Sequence, residues 1–223
     1  MRKLAPINGR ITRVLLVDDH PTFREGLRSL ISRIEGYTVC AEVDGESAAM
    51  RTLKAENVDL MIVDLNLQDG SGLKLIQRAS QNYPGLRILV ASMYEESLYG
   101  ERAINAGANG YVCKQEDPEI LKKAVTLVSS GEMFISRKLV HTMLEHELVG
   151  KAPATSEPAE ILSDRELQIF TLIGNGLSTR EIASQLHLSP KTIDTHRDHV
   201  KRKIGVGDNV RLVHRAVEWV LSR

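Results

Sequence analysis

The chain has few cysteines, no net charge and no long apolar run, and each shortage excludes something. Two cysteines, Cys40 and Cys113, in 223 residues are too few for a disulfide framework and fit a reducing compartment. Lys and Arg number 29 and Asp and Glu also number 29, so the formal net charge of zero gives no global sign of a nucleic-acid or membrane partner. Nothing approaches the roughly 18 consecutive apolar residues of a membrane span. The opening MRKLAPINGR lacks the apolar core of a signal peptide. A cytoplasmic protein without a membrane partner is expected. What remains is the balance of a folded globular chain, with 42% hydrophobic and 26% charged residues and a length suited to one large domain or two ordinary ones.

The charge is slightly uneven. Up to Glu157 there are 19 basic against 21 acidic residues, and after it 10 against 8, so only the second part leans toward an anionic partner. Organisation changes near the same place. Thr12–Val17, Tyr37–Val43, Val58–Asp64, Leu86–Ala91 and Gly110–Cys113 read as strands, each followed by apolar residues at helical spacing. Five strands alternating with five helices over residues 12–131 require right-handed crossovers and a mainly parallel, doubly wound sheet. Residues 132–160 form a connection. Within it Ser136–Leu148 has the pattern of an amphipathic helix, and KAPATSEPAE, with two prolines and no apolar period, reads as a linker.

Residues 161–223 show helices only. Ser163 to Glu166 and Ser178 to Glu181 are capping boxes, and Ser189-Pro190 is an N-cap followed by proline at the first helical position. A short helix near Ile182, a turn at His187-Leu188 and a longer helix from Pro190 to Ile204 make a helix-turn-helix pattern, with a last helix over Asp208–Leu221. The fold class is therefore α/β plus an all-α domain of about four helices.

In a parallel sheet all strands end at one edge, which brings Asp18, Asp19, Asp64, Ser92 and Lys114 together there. Any one of these has an ordinary reading, and an isolated Asp64 would simply cap its loop. The set does not. Two carboxylates about 4 Å apart repel by roughly 4 kcal/mol at an effective dielectric of 20, so the cluster calls for a cation. Hard oxygen donors suit Mg2+ completed by waters and phosphate oxygens, and Lys114 supplies a charge for a phosphoryl oxygen.

Residues 12–130 resemble the receiver domain of bacterial response regulators, through Asp18-Asp19, Asp64 in DLNLQDGSGL, Ser92 in ASMYEE, and Tyr111 and Lys114 in GANGYVCK. The resemblance implies a flavodoxin-like fold of five parallel strands, with Asp64 taking a phosphoryl group from a sensor histidine kinase. It implies Mg2+ on Asp19, Asp64 and the Asn66 backbone carbonyl, with Asp18 in the outer shell. Ser92 would bond the phosphoryl oxygen, and Tyr111 would swing inward behind it. Gln68 stands where proline is common in the family. Aspartyl-phosphate phosphatases use a similar kit, but they need a general acid two residues after the nucleophile, where this chain has Asn66. Phosphoryl acceptance and slow self-dephosphorylation are expected, and no fast enzyme. A receiver used only as a docking or dimer module is the other alternative.

Residues 160–223 resemble the LuxR-type helix-turn-helix domain through LSDREL, GLSTREIASQL and SPKTIDTHRDHVKRKIGV, and the whole chain resembles NarL/FixJ-type response regulators. Helical spacing turns Ile193, Val200 and Ile204 to the core, with His196 beside them as a hydrogen-bonded packing histidine. The resemblance puts Asp194, Thr195 and Asp198 toward bases of double-stranded DNA, and aspartates depart from the basic residues common there. Lys191, Thr192, Lys201 and Lys203 are the candidate phosphate contacts. A homodimer is expected, with the last helix as its surface.

Overall fold

The computed structural model describes residues 11–67, 70–149 and 158–221, and the described residues fall into two compact units divided near residue 150. Gln68 and most of the expected linker lie outside the described residues. Among the described residues no helix is long and apolar enough to cross a membrane.

The first unit runs β1 (Thr12–Val17), α1 (Pro21–Ser32), β2 (Tyr37–Val43), α2 (Glu46–Ala55), β3 (Leu60–Val63), β4 (Asn66–Leu67), β5 (Gly70–Ser71), α3 (Gly72–Asn82), β6 (Arg87–Ser92), α4 (Glu96–Ala106), β7 (Gly110–Cys113), α5 (Pro118–Ser129) and α6 (Arg137–Val149). Five strands form one parallel sheet in the order β2-β1-β3-β6-β7, with helices on both faces. This is the flavodoxin-like order, whose direction reverses between β1 and β3. Val14 to Val17 and Leu60 to Val63 are buried along their whole length, as strands covered on both sides must be. Leu16, Leu27, Ile31, Ile62, Leu89, Val125 and Val128 sit in one core under α1 and α5.

Two features leave no signal in the sequence, the pairing within the loop after β3 and the seat of the helix beyond α5. The loop after β3 closes as a two-residue antiparallel pair, β4 with β5. There Gly72 lies so close to the preceding chain that a Cβ on it would sit 2.1 Å from the Asp64 carbonyl oxygen. The expected helix near residues 136–148 is α6, and it packs on α4. Gly100 leaves a notch on α4 that receives Leu139, where a Cβ would come within 2.6 Å of Leu139 Cδ2. The Ser136 N–H donates to Glu96 Oε1 at 2.8 Å beside it.

The second unit holds α7 (Pro158–Ile161), α8 (Asp164–Gly174), α9 (Thr179–Gln185), α10 (Pro190–Ile204) and α11 (Asn209–Leu221). Both capping boxes form. Glu166 accepts from the Ser163 N–H at 2.7 Å, and Glu181 from the Ser178 N–H at 2.8 Å. At the turn between α9 and α10, His187 takes φ 51°, a left-handed conformation uncommon for a non-glycine residue. Leu167, Phe170, Ile182, Ile193, Val200, Leu212 and Trp219 build the core, with the Phe170 and Trp219 ring centroids 5.5 Å apart. Helix α11 is two-faced. Leu212, Ala216 and Trp219 are buried, whereas Val210 and Leu221 stand 79% and 80% exposed.

Candidate functional site

Register places the acidic residues. Val17 pairs with Val63 across β1 and β3, so Asp18 and Asp64 emerge side by side where the strand order reverses. The Asp64 N–H donates to the Val17 carbonyl at 2.9 Å, and the Lys114 N–H to the Ser92 carbonyl at 2.7 Å, fixing β3 to β1 and β7 to β6 at their ends. Asp18, Asp19, Asp64, Asn66 and Ser92 are all buried. Of the expected set, Asp18, Asp19, Asp64 and Lys114 lie together, and Ser92 ends the strand whose carbonyl receives the Lys114 N–H.

Lys114 closes the cluster from below. Its Nζ lies 2.6 Å from Asp18 Oδ2 and 2.6 Å from Asp64 Oδ2, in a side chain only 3% exposed. The same ammonium stands 4.5 Å from the centroid of the Phe23 ring, a cation–π contact. Asp64 Oδ2 is thus held, while its buried Oδ1 has no hydrogen-bond partner. Burial raises the Asp64 carboxyl above its ordinary range; Lys114 opposes this and Asp18 adds to it. A buried carboxylate oxygen without a donor, flanked by two more carboxylates, fits a hard divalent cation. Asp18, Asp19, His20 and Asp64 each bring one ligand atom, all within 4.8 Å of one another.

Tyr111 is already turned inward. It is buried, and its hydroxyl donates to the Tyr94 carbonyl at 2.8 Å. Burial, opposed by a hydrogen bond with Ser92, pushes its phenol well above the ordinary value. The Tyr94 N–H in turn donates to Ser92 Oγ at 3.4 Å, and the Tyr94 and Tyr99 ring centroids are 4.8 Å apart. Ser92, Tyr94 and Tyr111 therefore form one connected group.

In the second unit, Lys191, Asp194, Thr195 and Asp198 lie on the exposed side of α10, opposite Ile193 and Val200. Several of the expected DNA contacts have internal partners. Thr192 completes the helix start, its N–H donating to Ser189 Oγ at 3.1 Å and the two hydroxyls 2.8 Å apart. Asp198 and Lys201 pair at 2.9 Å, and Lys201 together with Arg202 and His199 lowers the Asp198 carboxyl. Lys203 Nζ reaches Glu166 Oε2 at 2.6 Å. Burial alone would raise the Glu166 carboxyl, but the bonds from Lys203 and Ser163 outweigh it and bring it below the ordinary value. His196 packs half-buried as expected, yet its buried Nδ1 has no hydrogen-bond partner. Burial and then the Arg165 charge lower its pKa, so the ring is kept neutral.

Sequence reasoning passed over four residues. His20, directly after the aspartate pair, overhangs the pocket, and Phe23 on α1 presents its ring to the Lys114 ammonium. Glu166 completes its capping box and also holds Lys203. Arg197 donates to Thr179 Oγ1 at 3.0 Å and ties α10 to the start of α9.

Comparison with known proteins agrees with both halves. The response regulator receiver domain family matches residues 14–126, and the luxR family of bacterial regulatory proteins matches residues 160–216. The oxygen regulatory protein NreC of Staphylococcus epidermidis is 32% identical over 213 residues, covering 92% of this chain and 97% of its own. The response regulator UvrY of Escherichia coli is 30% identical over 204 residues, covering 92% and 93%. RcsB of Salmonella enterica serovar Typhimurium, solved bound to the promoter P1flhDC in the presence of phosphomimetic BeF3−, aligns with a TM-score of 0.60 at 25% identity, over 95% of this chain and 99% of that one. A doubly wound sheet with an acidic strand-end pocket, joined in one chain to a LuxR-type helix-turn-helix, defines a two-component response regulator of the transcription-regulating, DNA-binding kind. The chain belongs to the NarL/FixJ type of these regulators.

Proposed function

We propose that Asp64 is the phosphoacceptor of a phosphorylation-controlled transcription regulator. The observation that best supports this is the split environment of its carboxylate: Oδ2 is held by Lys114, and Oδ1 is buried without a donor. An Asp64 oxygen forms a bond to phosphorus as the bond to the imidazole nitrogen of a sensor kinase's phosphohistidine breaks, giving an acyl phosphate. Lys114 exchanges its contact with Asp64 Oδ2 for a phosphoryl oxygen and keeps Asp18. Ser92 donates to a second phosphoryl oxygen, and Tyr111, already inward, fills the space behind it. Asp19, Asp64 and the Asn66 carbonyl would hold Mg2+, with Asp18 in the outer shell, and the ion would neutralise charge between carboxylates and phosphoryl oxygens. Asn66 has no proton to give, so water returns Asp64 to the carboxylate slowly and the phosphoryl group lasts as a signal.

The output is binding of double-stranded DNA by α10 as a homodimer, with half-sites about one helical turn apart. Lys191, Asp194, Thr195 and Asp198 face the groove. Thr192, Lys201 and Lys203 lie nearer the backbone, and the last two reach phosphates only by leaving Asp198 and Glu166. The exposed Val210, Val213 and Leu221 of α11 are the dimer surface. A cytoplasmic location belongs to the same reading.

Incubation with acetyl phosphate and Mg2+ tests the input. The expected result is a mass increase of one phosphoryl group, absent in Asp64→Asn, together with a change in oligomeric state or DNA affinity. Incorporation that persists in Asp64→Asn would rule out the assignment. Incorporation without either downstream change would rule out the switch.

A further inference from the structure

His20 directly follows the aspartate pair and precedes α1 as its N-cap residue, but its side chain does not cap the helix. Its backbone N–H donates to Asp18 Oδ1 at 2.8 Å, which folds the chain back over the pocket. The imidazole follows. Nδ1 lies 2.7 Å from Asp19 Oδ1, 3.3 Å from Asp18 Oδ1 and 4.0 Å from Asp64 Oδ2. The three carboxylates are almost wholly covered, whereas the histidine side chain is 54% exposed, so the ring roofs the mouth and meets solvent.

We infer that His20 converts the all-oxygen pocket into a mixed nitrogen–oxygen site that takes a late first-row divalent cation such as Zn2+, with His20 Nδ1 as a ligand beside the carboxylates of Asp18, Asp19 and Asp64. This rests on the pocket being a cation site, as in the proposed function, and adds which cation it can select. Three observations converge on it. The four ligand atoms lie within 4.8 Å of one another, so side-chain shifts of about an ångström bring them to the roughly 3.4 Å separations of a tetrahedral ion with bonds near ~2.1 Å. Asp64 Oδ1 is buried and has no donor, which leaves a carboxylate lone pair at the site unmatched. Three carboxylates less the Lys114 ammonium leave two negative charges, which one divalent ion balances.

The identity of the fourth donor then sorts the ions. Mg2+ keeps its waters and gains little from an imidazole, while Zn2+, Co2+ and Ni2+ favour one. The neutral ring binds the ion through the Nδ1 lone pair and carries its one ring hydrogen on Nε2. A late ion bound this way draws the ring down across the mouth and occupies the carboxylates that phosphoryl acceptance requires. The receiver then has a second, metal-loaded state that competes with its phosphorylated one.

The test uses the full chain at neutral pH, with calorimetric titration of Mg2+ and Zn2+ into wild type, His20→Asn and Asp64→Asn. Thermal melts confirm that each variant is folded. The expected result is Zn2+ affinity at least tenfold weaker in His20→Asn, with Mg2+ affinity changed less than twofold. Co2+ provides the direct readout: a paramagnetically shifted, solvent-exchangeable imidazole N–H resonance, present in wild type and missing in His20→Asn. Unchanged Zn2+ affinity in His20→Asn, or equal weakening of both ions, overturns the inference and leaves the all-oxygen pocket intact. No binding of either ion, or binding indifferent to Asp64→Asn, overturns the cation site itself and with it the reading on which the inference rests.

Discussion

At the strand ends Asp18, Asp19, Asp64 and Lys114 are almost fully enclosed, whereas on α10 Lys191, Asp194, Thr195 and Asp198 stand in solvent. Both sets are charged and both are read as functional, but they relate to the fold differently. The pocket's charges are desolvated, so each needs a partner within the pocket, Lys114 or a bound cation, and removing one strands the others. Charges on the helix face are screened by water and can be exchanged with little effect on stability. A site of the first kind is written into the architecture. One of the second kind is written on it.

The largest expected effect breaks the first half of this contrast. Lys114→Met leaves Asp18 and Asp64 buried without their cation and should cost about 3 kcal/mol in urea unfolding, with part recovered on adding Mg2+. A loss comparable to that of a surface lysine would show that the pocket is not sealed. Gly72→Ala comes next. Its Cβ meets the backbone at Asp64 and Leu65, which cannot yield as a side-chain tip can, so a loss of about 2 kcal/mol and slower phosphoryl incorporation are expected.

Glu166 is the exception within the second unit, a buried carboxylate that ties Ser163 to Lys203. Glu166→Gln should remove about 1.5 kcal/mol from that unit's stability. Because the folded-state pKa of Glu166 lies below its ordinary 4.5, its contribution is intact above that value and is lost as pH falls through the lower folded value. His196 behaves differently. Its folded-state pKa is below the ordinary 6.5, so on acidification the unfolded chain takes up the proton first and stability declines from about pH 6.5 downward. His196→Leu should abolish that decline and gain about 1 kcal/mol by removing a buried nitrogen that lacks a partner. A decline unchanged in this variant would place its origin elsewhere. The smallest effect on folding belongs to Asp194→Ala, which should leave the melting curve alone yet relax DNA preference at one base position. Equal loss of binding on every sequence would exclude a base-reading role.

The same contrast explains what could be seen in advance. Apolar runs ending on Asp18, Asp64, Ser92 and Lys114 announce both the sheet and the place where its strands stop, so the fold and the pocket come from one pattern. Capping boxes at Ser163 and Ser178 similarly announce the starts of α8 and α9. Side-chain partners across the surface leave no such pattern. Nothing in the spacing of Lys203 and Glu166, 37 residues apart, signals an ion pair, and nothing in Asp18-Asp19-His20 tells which way the imidazole turns. Even Phe23, which does obey the helical period, gives no sign that its ring faces an ammonium.

The notch at Gly100 has a mechanical consequence. Leu139 is seated where α4 has no side chain, and one turn along α4 in either direction it would meet Glu96 or Ile104 instead. Helix α6 therefore has a single seat on α4 and cannot creep along it; the two travel as one piece or separate outright. A joint of that kind is a detent, a shape that holds α6 at one register on α4 without any charge.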